Sequence, residues 1–195
     1  MLVRSYLIGI LAVLSVHSAR LVAEEPQAGT SPVEVQRFFE KSGKTVITFA
    51  GYSGSGYEDV EGMLAEARGV LSAHAPKKTI VNIGATSSGI GAVYGLAKEM
   101  GFETTGIVST QAKEYDAEIS EHVDKVFYVT DESWGGFKPN TNNLSPTSLA
   151  MVQNSDVIIC IGGGAVARDE LTAAKREGKT IKYIPADMNH KAAIE

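Results

Sequence analysis

Residues 82–100 read NIGATSSGIGAVYGLAKEM. The stretch ends an apolar run, crowds Gly84, Gly89 and Gly91 into a turn, and passes into apolar positions spaced three and four apart. A strand that stops in a glycine turn and restarts as a helix is one βα unit of a layered α/β fold, and its turn amides suit an anion.

The same alternation runs outward in both directions. Short β-branched runs predict strands at TVITFAG (45–51), KTIVNIG (78–84), ETTGIVS (103–109), KVFYVT (125–130), DVIICIG (156–162) and TIKYIPA (180–186). Helical spacing predicts helices at 33–41, 57–74, 90–101, 145–155 and 165–178, with a short helical connection at 112–122. Ser145 stands as an N-cap with Pro146 at the first helical position. Near-continuous apolar strands alternating with helices indicate a doubly wound, mainly parallel sheet with helices on both faces, a Rossmann-like three-layer α/β sandwich. The expected organisation is a signal peptide at 1–23, a linker and N-terminal helix at 24–43, and one domain at 44–195. One long irregular segment, DESWGGFKPNTNN (131–143), has the length of a functional or disordered loop.

Three predicted strands end in glycine clusters: AGYSGSGYED (50–59), IGATSSGIG (83–91) and IGGGAVARDE (161–170). Parallel strands bring these turns to one edge, where such sheets bind ligands at the switch point of the winding. Glycine lets a ligand approach the backbone without meeting a Cβ, and the next helix's first amides favour an anion. The predicted phosphate-binding set is therefore Gly51, Ser53, Gly54, Ser55, Gly84, Thr86, Ser87, Ser88, Gly89, Gly91, Gly162, Gly163, Gly164 and Arg168. The alternative is three tight connections with no ligand.

The ends and the composition narrow the function. Residues 1–23 carry a basic start at Arg4, an uncharged apolar block and small residues at Ser18, Ala19 and Ala23, as a secretory signal does. Cleavage after Ser18 or Ala23 predicts an exported protein, periplasmic or secreted, with no membrane attachment after cleavage. Loss of that segment moves the formal charge from −5 to −7, with 16 basic and 23 acidic side chains left. An acidic chain lacks the footprint for nucleic acid. The single cysteine, Cys160, lies in an apolar run without a basic neighbour, so it reads as a packed thiol. His74, His122 and His190 show no metal spacing, and neither a metal nor a cofactor is assigned.

Two families share parts of this pattern. Short-chain dehydrogenases carry Gly-x-x-x-Gly-x-Gly on their first strand, whereas Gly84, Gly89 and Gly91 are one residue longer and follow the second. The matching Tyr94 and Lys98 sit on the helix beside the turn, so that likeness is superficial. Over residues 44–186, the order TVITFAGYSGSGYED, TIVNIGATSSGIGAVYGLAKEMGFETTGIV and SDVIICIGGGAVARDELTAAKREGKTIKYI resembles the LOG-like group. These are the lysine-decarboxylase-like proteins of the SLOG superfamily, which include cytokinin-activating phosphoribohydrolases and relatives that bind nucleotides or molybdenum cofactor.

The resemblance implies a phosphate-bearing ligand and, by analogy with relatives, a homodimer. It thins at the catalytic motif. Laid along the signature Pro-Gly-Gly-x-Gly-Thr-x-x-Glu, Gly162 and Gly163 match, but Ile161 replaces proline, Ala165 glycine and Val166 threonine. The acidic position falls on Asp169, with Glu170 beside it. The arginine of active members has no counterpart in PTSLAMVQNSD. These losses favour binding of a nucleotide-like small molecule over phosphoribohydrolase activity. Asp169 and Glu170 are the catalytic candidates if the chain is a nucleotide N-glycosidase, and a ligand-free interaction module is the third reading. Trp134 and Phe137, beside Gly135 and Gly136, would serve as a lid, stack on a base, or pack against the surface or another subunit. Tyr115, Asp116 and Glu118 lie near the same edge without a decisive pattern.

Overall fold

A computed structural model of the chain describes residues 29–192. The expected signal segment, its two cleavage positions and the first part of the linker lie outside the described residues. The helix α1 (Pro32–Ser42) opens with a reciprocal cap. Ser31 Oγ accepts from the Glu34 amide at 3.3 Å, while a Glu34 carboxylate oxygen accepts from the Ser31 amide at 2.9 Å. Gly43, at φ +60°, ends it.

Six strands follow: β1 (Thr45–Gly51), β2 (Thr79–Ile83), β3 (Glu103–Ser109), β4 (Lys125–Val129), β5 (Val157–Ile161) and β6 (Thr180–Ile184). All pair in parallel, in the order β4-β3-β2-β1-β5-β6. The winding reverses at β1, which lies between β2 and β5. Helices α2 (Val60–Leu71) and α3 (Ala92–Glu99) cover one face, over Ile47, Phe49, Val81 and Ile83. On the other face α1 and α5 (Pro146–Gln153) cover Val46, Ile80, Ile107 and Phe127, and α6 (Ala165–Arg176) packs on Ile158. This is the doubly wound, Rossmann-like α/β sandwich that the alternating pattern predicts.

Three local expectations change. The helical connection at 112–122 shrinks to one turn, α4 (Gln111–Glu114). Asp116 turns the chain at φ +48°, Ile119 bridges Thr86, and the Ser120 amide bonds the Ala85 carbonyl at 3.0 Å. Ala117 and Ile119 pack against Ala85 and Val108, so tertiary pairing overrides a helical composition. The predicted helix at 57–74 begins only at Val60, where Asp59 caps the Gly62 amide at 2.8 Å. Tyr57 is instead drawn out of the helix and buried. Ser145 keeps the N-cap position, but its buried hydroxyl makes no hydrogen bond, so it does not cap through its side chain.

One buried tyrosine supports the turn after β2. Tyr94 is fully buried on α3; its hydroxyl accepts from the Ala85 amide at 3.1 Å and donates to the Thr105 carbonyl at 2.8 Å. Ala85 itself sits at φ +62°, a conformation costly for a residue with a Cβ. Tyr94→Phe strands a buried amide and a carbonyl, which should cost about 1–3 kcal/mol. Urea denaturation should show a lower midpoint at an unchanged slope.

Candidate functional site at the switch point

The strand tips at β1, β2 and β5 are tied to one another before any ligand is considered. Tyr57 Oη accepts from the Tyr52 amide at 3.1 Å and donates to the Ile161 carbonyl at 2.7 Å, joining the tips of β1 and β5. The Ile90 amide donates to the Tyr52 carbonyl at 2.7 Å, so the turn after β2 docks on the turn after β1. Gly89, at φ +58°, makes this docking possible, because a Cβ there would strike the Tyr52 and Ser53 carbonyl oxygens.

The turn glycines therefore divide into two sets. At Gly51, Gly89, Gly91, Gly162 and Gly163 an added Cβ would meet the protein itself. At Gly54, Gly84 and Gly164 it would meet nothing within 4 Å. The Ser53, Gly54 and Ser55 amides take no hydrogen-bond acceptor among the described residues, while the Gly56 amide closes back on Ser53. Among the described residues no side chain caps α6 at Gly164, which leaves its first amides open.

Between these turns lies a crevice of about 450 Å³, within the size range of small-molecule sites. Phe49, Ile83, Ile107 and Met151 make its apolar walls, and Ser53, Thr86, Ser87 and Ser88 put hydroxyl groups along its rim. Of the residues singled out from sequence, Gly51, Ser53, Gly54, Gly84, Thr86, Ser87, Ser88, Glu118, Trp134 and Glu170 line it. Ser55, Gly89, Gly91, Gly162, Gly163, Gly164, Arg168 and Asp169 are not among its lining residues. Arg168 is exposed and lies 3.7 Å from the Asp169 carboxylate. Among the described residues, the charged side chains on the lining are Glu118 and Glu170, with no lysine, arginine or histidine.

Helix geometry separates the two neighbouring acids. Because α6 begins at Ala165, Asp169 and Glu170 fall in its second turn and project about 100° apart. Asp169 accepts from the Phe137 amide at 3.0 Å and so holds the 131–145 loop. Glu170 is buried against the crevice, accepting from the Ser148 hydroxyl at 2.6 Å. Burial pushes its carboxyl up to about 7; the Ser148 hydrogen bond opposes this and nearby Asp169 adds to it. Cys160, also buried, has its thiol pushed up to about 11 by burial and by Glu170, which suits a packing role.

The long loop after β4 is firmly anchored. Asp131 accepts from the Thr147 and Ser133 amides at 2.8 and 2.9 Å and from the Ser133 hydroxyl at 2.8 Å. Burial alone would raise its pKa, but the hydrogen bonds from Thr147 and Ser133 outweigh burial and hold it below its ordinary value. Past Trp134, the Gly136 amide donates to Ser148 Oγ at 2.8 Å. Sequence reading did not single out Asp131, Ser148 or the crevice-lining Thr147. The only available signal was the Ser145, Thr147 and Ser148 cluster at the predicted start of α5.

Glu170 has a pH signature. Stability from keeping it protonated is fully present below its unfolded pKa and is lost as pH rises through its folded value near 7. Glu170→Gln should therefore be more stable than the parent by about 3 kcal/mol near pH 8, with the advantage gone by about pH 4. Denaturant midpoints across that range check it.

The chain matches no protein-family model and no curated protein by sequence. Among solved structures it is similar to a Moco carrier protein from Chlamydomonas reinhardtii, at TM-score 0.52 and 21% identity over 76% of this chain and 80% of that one. It is similar to the molybdenum cofactor binding protein from the phototrophic bacterium Rippkaea orientalis, at TM-score 0.53 and 18% identity over 74% and 78%. A third likeness is to TM1055, at TM-score 0.50 and 19% identity over 70% and 72%. At such identities the likeness is one of architecture: the chain has the Rossmann-like α/β fold of these structures.

Proposed function

We propose that this chain is a binding protein for a nucleotide or a related phosphorylated small molecule, held in the crevice at the switch point. The observation that carries the reading is the open edge at Gly54 and Gly84, where glycines with free space beside them line a cavity of ligand size. Unsatisfied amides of the 53–55 turn would receive the phosphate without a cationic side chain, with serine and threonine hydroxyls adding direction. Glu170 would accept from the ligand's hydroxyl or N–H groups. Two similar structures are named for molybdenum cofactor, a phosphorylated pterin, which lies within this ligand class. Export and homodimer formation remain part of the proposal.

The lining lacks the arginine that LOG-like hydrolases use, which favours carriage or sensing over phosphoribohydrolase chemistry. One observation favours a catalytic reading: a carboxyl with a pKa near 7 is suited to general acid work at neutral pH. Incubation with nucleoside monophosphates, followed by chromatography for free base, separates the two. Base release that disappears in Glu170→Gln supports the hydrolase.

Binding is tested with Gly84→Val, whose side chain grows into free space. The variant should fold with parental stability and fail to bind. The parent should gain about 2.7 kcal/mol at a ligand concentration one hundred times Kd. A thermal-shift screen of nucleotides and phosphorylated pterins reads both effects. Equal shifts in parent and variant would contradict this placement of the ligand.

A further inference from the structure

Two large exposed aromatic rings meet beside the crevice, one of them on its lining, on segments far apart in sequence. Trp134 is 51% exposed and Tyr115 is 64% exposed. Their ring centroids are 6.0 Å apart with planes tilted by 40°. Trp134 also lines the crevice, as does Glu118 on the segment that carries Tyr115. Tyr183 is also exposed, but Tyr115 and Trp134 pair beside an apolar cavity, and exposed aromatic area so placed marks a contact site.

The indole sits on a prepared mount. Before it, Asp131 is held by Ser133 and Thr147; after it, Gly136 bonds Ser148 and Phe137 bonds Asp169. Gly135, at φ +126°, lets the loop run so close to α5 and α6 that a Cβ would lie 2.8 Å from Ser148 Oγ and 3.0 Å from Val166 Cγ1. On the other side, Tyr115 ends α4 and Asp116 turns the chain away at φ +48°. Much of the ordering that a stacked complex requires is therefore present before a ligand arrives.

We propose that Trp134, supported by Tyr115, is the platform on which the planar heteroaromatic ring of the ligand stacks. This rests on the phosphate-binding reading above and deepens it. The ligand lies with its phosphate at the 53–55 turn, its middle over Glu170 and its ring at the mouth. Among the described residues the lining offers the ring no cation, and stacking on Trp134, which every base can share, tolerates more than one base.

Trp134 is the sole tryptophan, so its emission reports the event directly. Parent, Trp134→Ala, Trp134→Phe and Tyr115→Ala are titrated with GMP, AMP and, as a ringless control, ribose 5-phosphate. Calorimetry gives affinity and fluorescence gives stacking. GMP and AMP should quench the parent's emission, and ribose 5-phosphate should bind without quenching. Trp134→Ala should weaken GMP and AMP by on the order of tenfold to a hundredfold and leave ribose 5-phosphate unchanged. Trp134→Phe should recover most of that loss. GMP binding of parental strength in Trp134→Ala would overturn the platform and leave the phosphate site standing. Emission that follows protein concentration and ignores nucleotide would assign the rings to contact with a second copy, and would also overturn it. Failure of all three compounds, and of phosphorylated pterins in the thermal-shift screen, to bind the parent would overturn both readings.

Discussion

The hydroxyl of Tyr57 is the contact on which the site depends. It accepts from the chain just after β1 and donates to the last carbonyl of β5, at the point where the winding reverses. A parallel sheet leaves its neighbouring C-terminal tips free to splay, because the ladder ends there and each chain leaves toward its own helix. One buried hydroxyl bonded to both tips removes that freedom. Burial raises the phenol's pKa, so it remains a donor to Ile161 through the neutral range. Gly51 follows from the same contact, since a Cβ there would collide with that oxygen.

A second tie completes the floor. The Ile90 amide and Gly89 seat the turn after β2 against the carbonyls of the turn after β1. Several of the glycines are therefore spent on protein-to-protein approach, and the crevice is what remains open between turns already locked together. A phosphate held there, as proposed, would meet uncommon electrostatics, because the described lining carries carboxyl groups and no basic side chain. On the proposed reading, such a pocket would select for a ligand whose charge is confined to one end, where backbone dipoles meet it, and whose other groups donate hydrogen bonds or stack.

Much of the architecture was legible because strand and helix periods differ and each glycine cluster falls between them. VIICI at β5 has no polar face to expose, and a strand buried on both faces needs none. The segment after β3 was not legible as drawn: Ala117 and Ile119 satisfy a helical pattern, but they are claimed by Ala85 and Val108 across the sheet edge. Nor could sequence sort the glycines, since whether a missing Cβ makes room for a ligand or for Tyr57 depends on what lies opposite. Asp169 and Glu170 illustrate the same limit. A motif places an acid to within a residue, and one residue of helix turns it from the crevice to the loop. Trp134 was marked by its flanking glycines, whereas its partner Tyr115 carried no local signal.

The central claim is that a phosphate-bearing molecule occupies the space beside Gly84. Native mass spectrometry of the protein as purified from cells tests it most directly, run on the parent and on Gly84→Val. The account predicts a bound phosphorylated heterocycle on the parent and its loss from the variant. A bound species that lacks phosphate, or one retained equally by the variant, would contradict it.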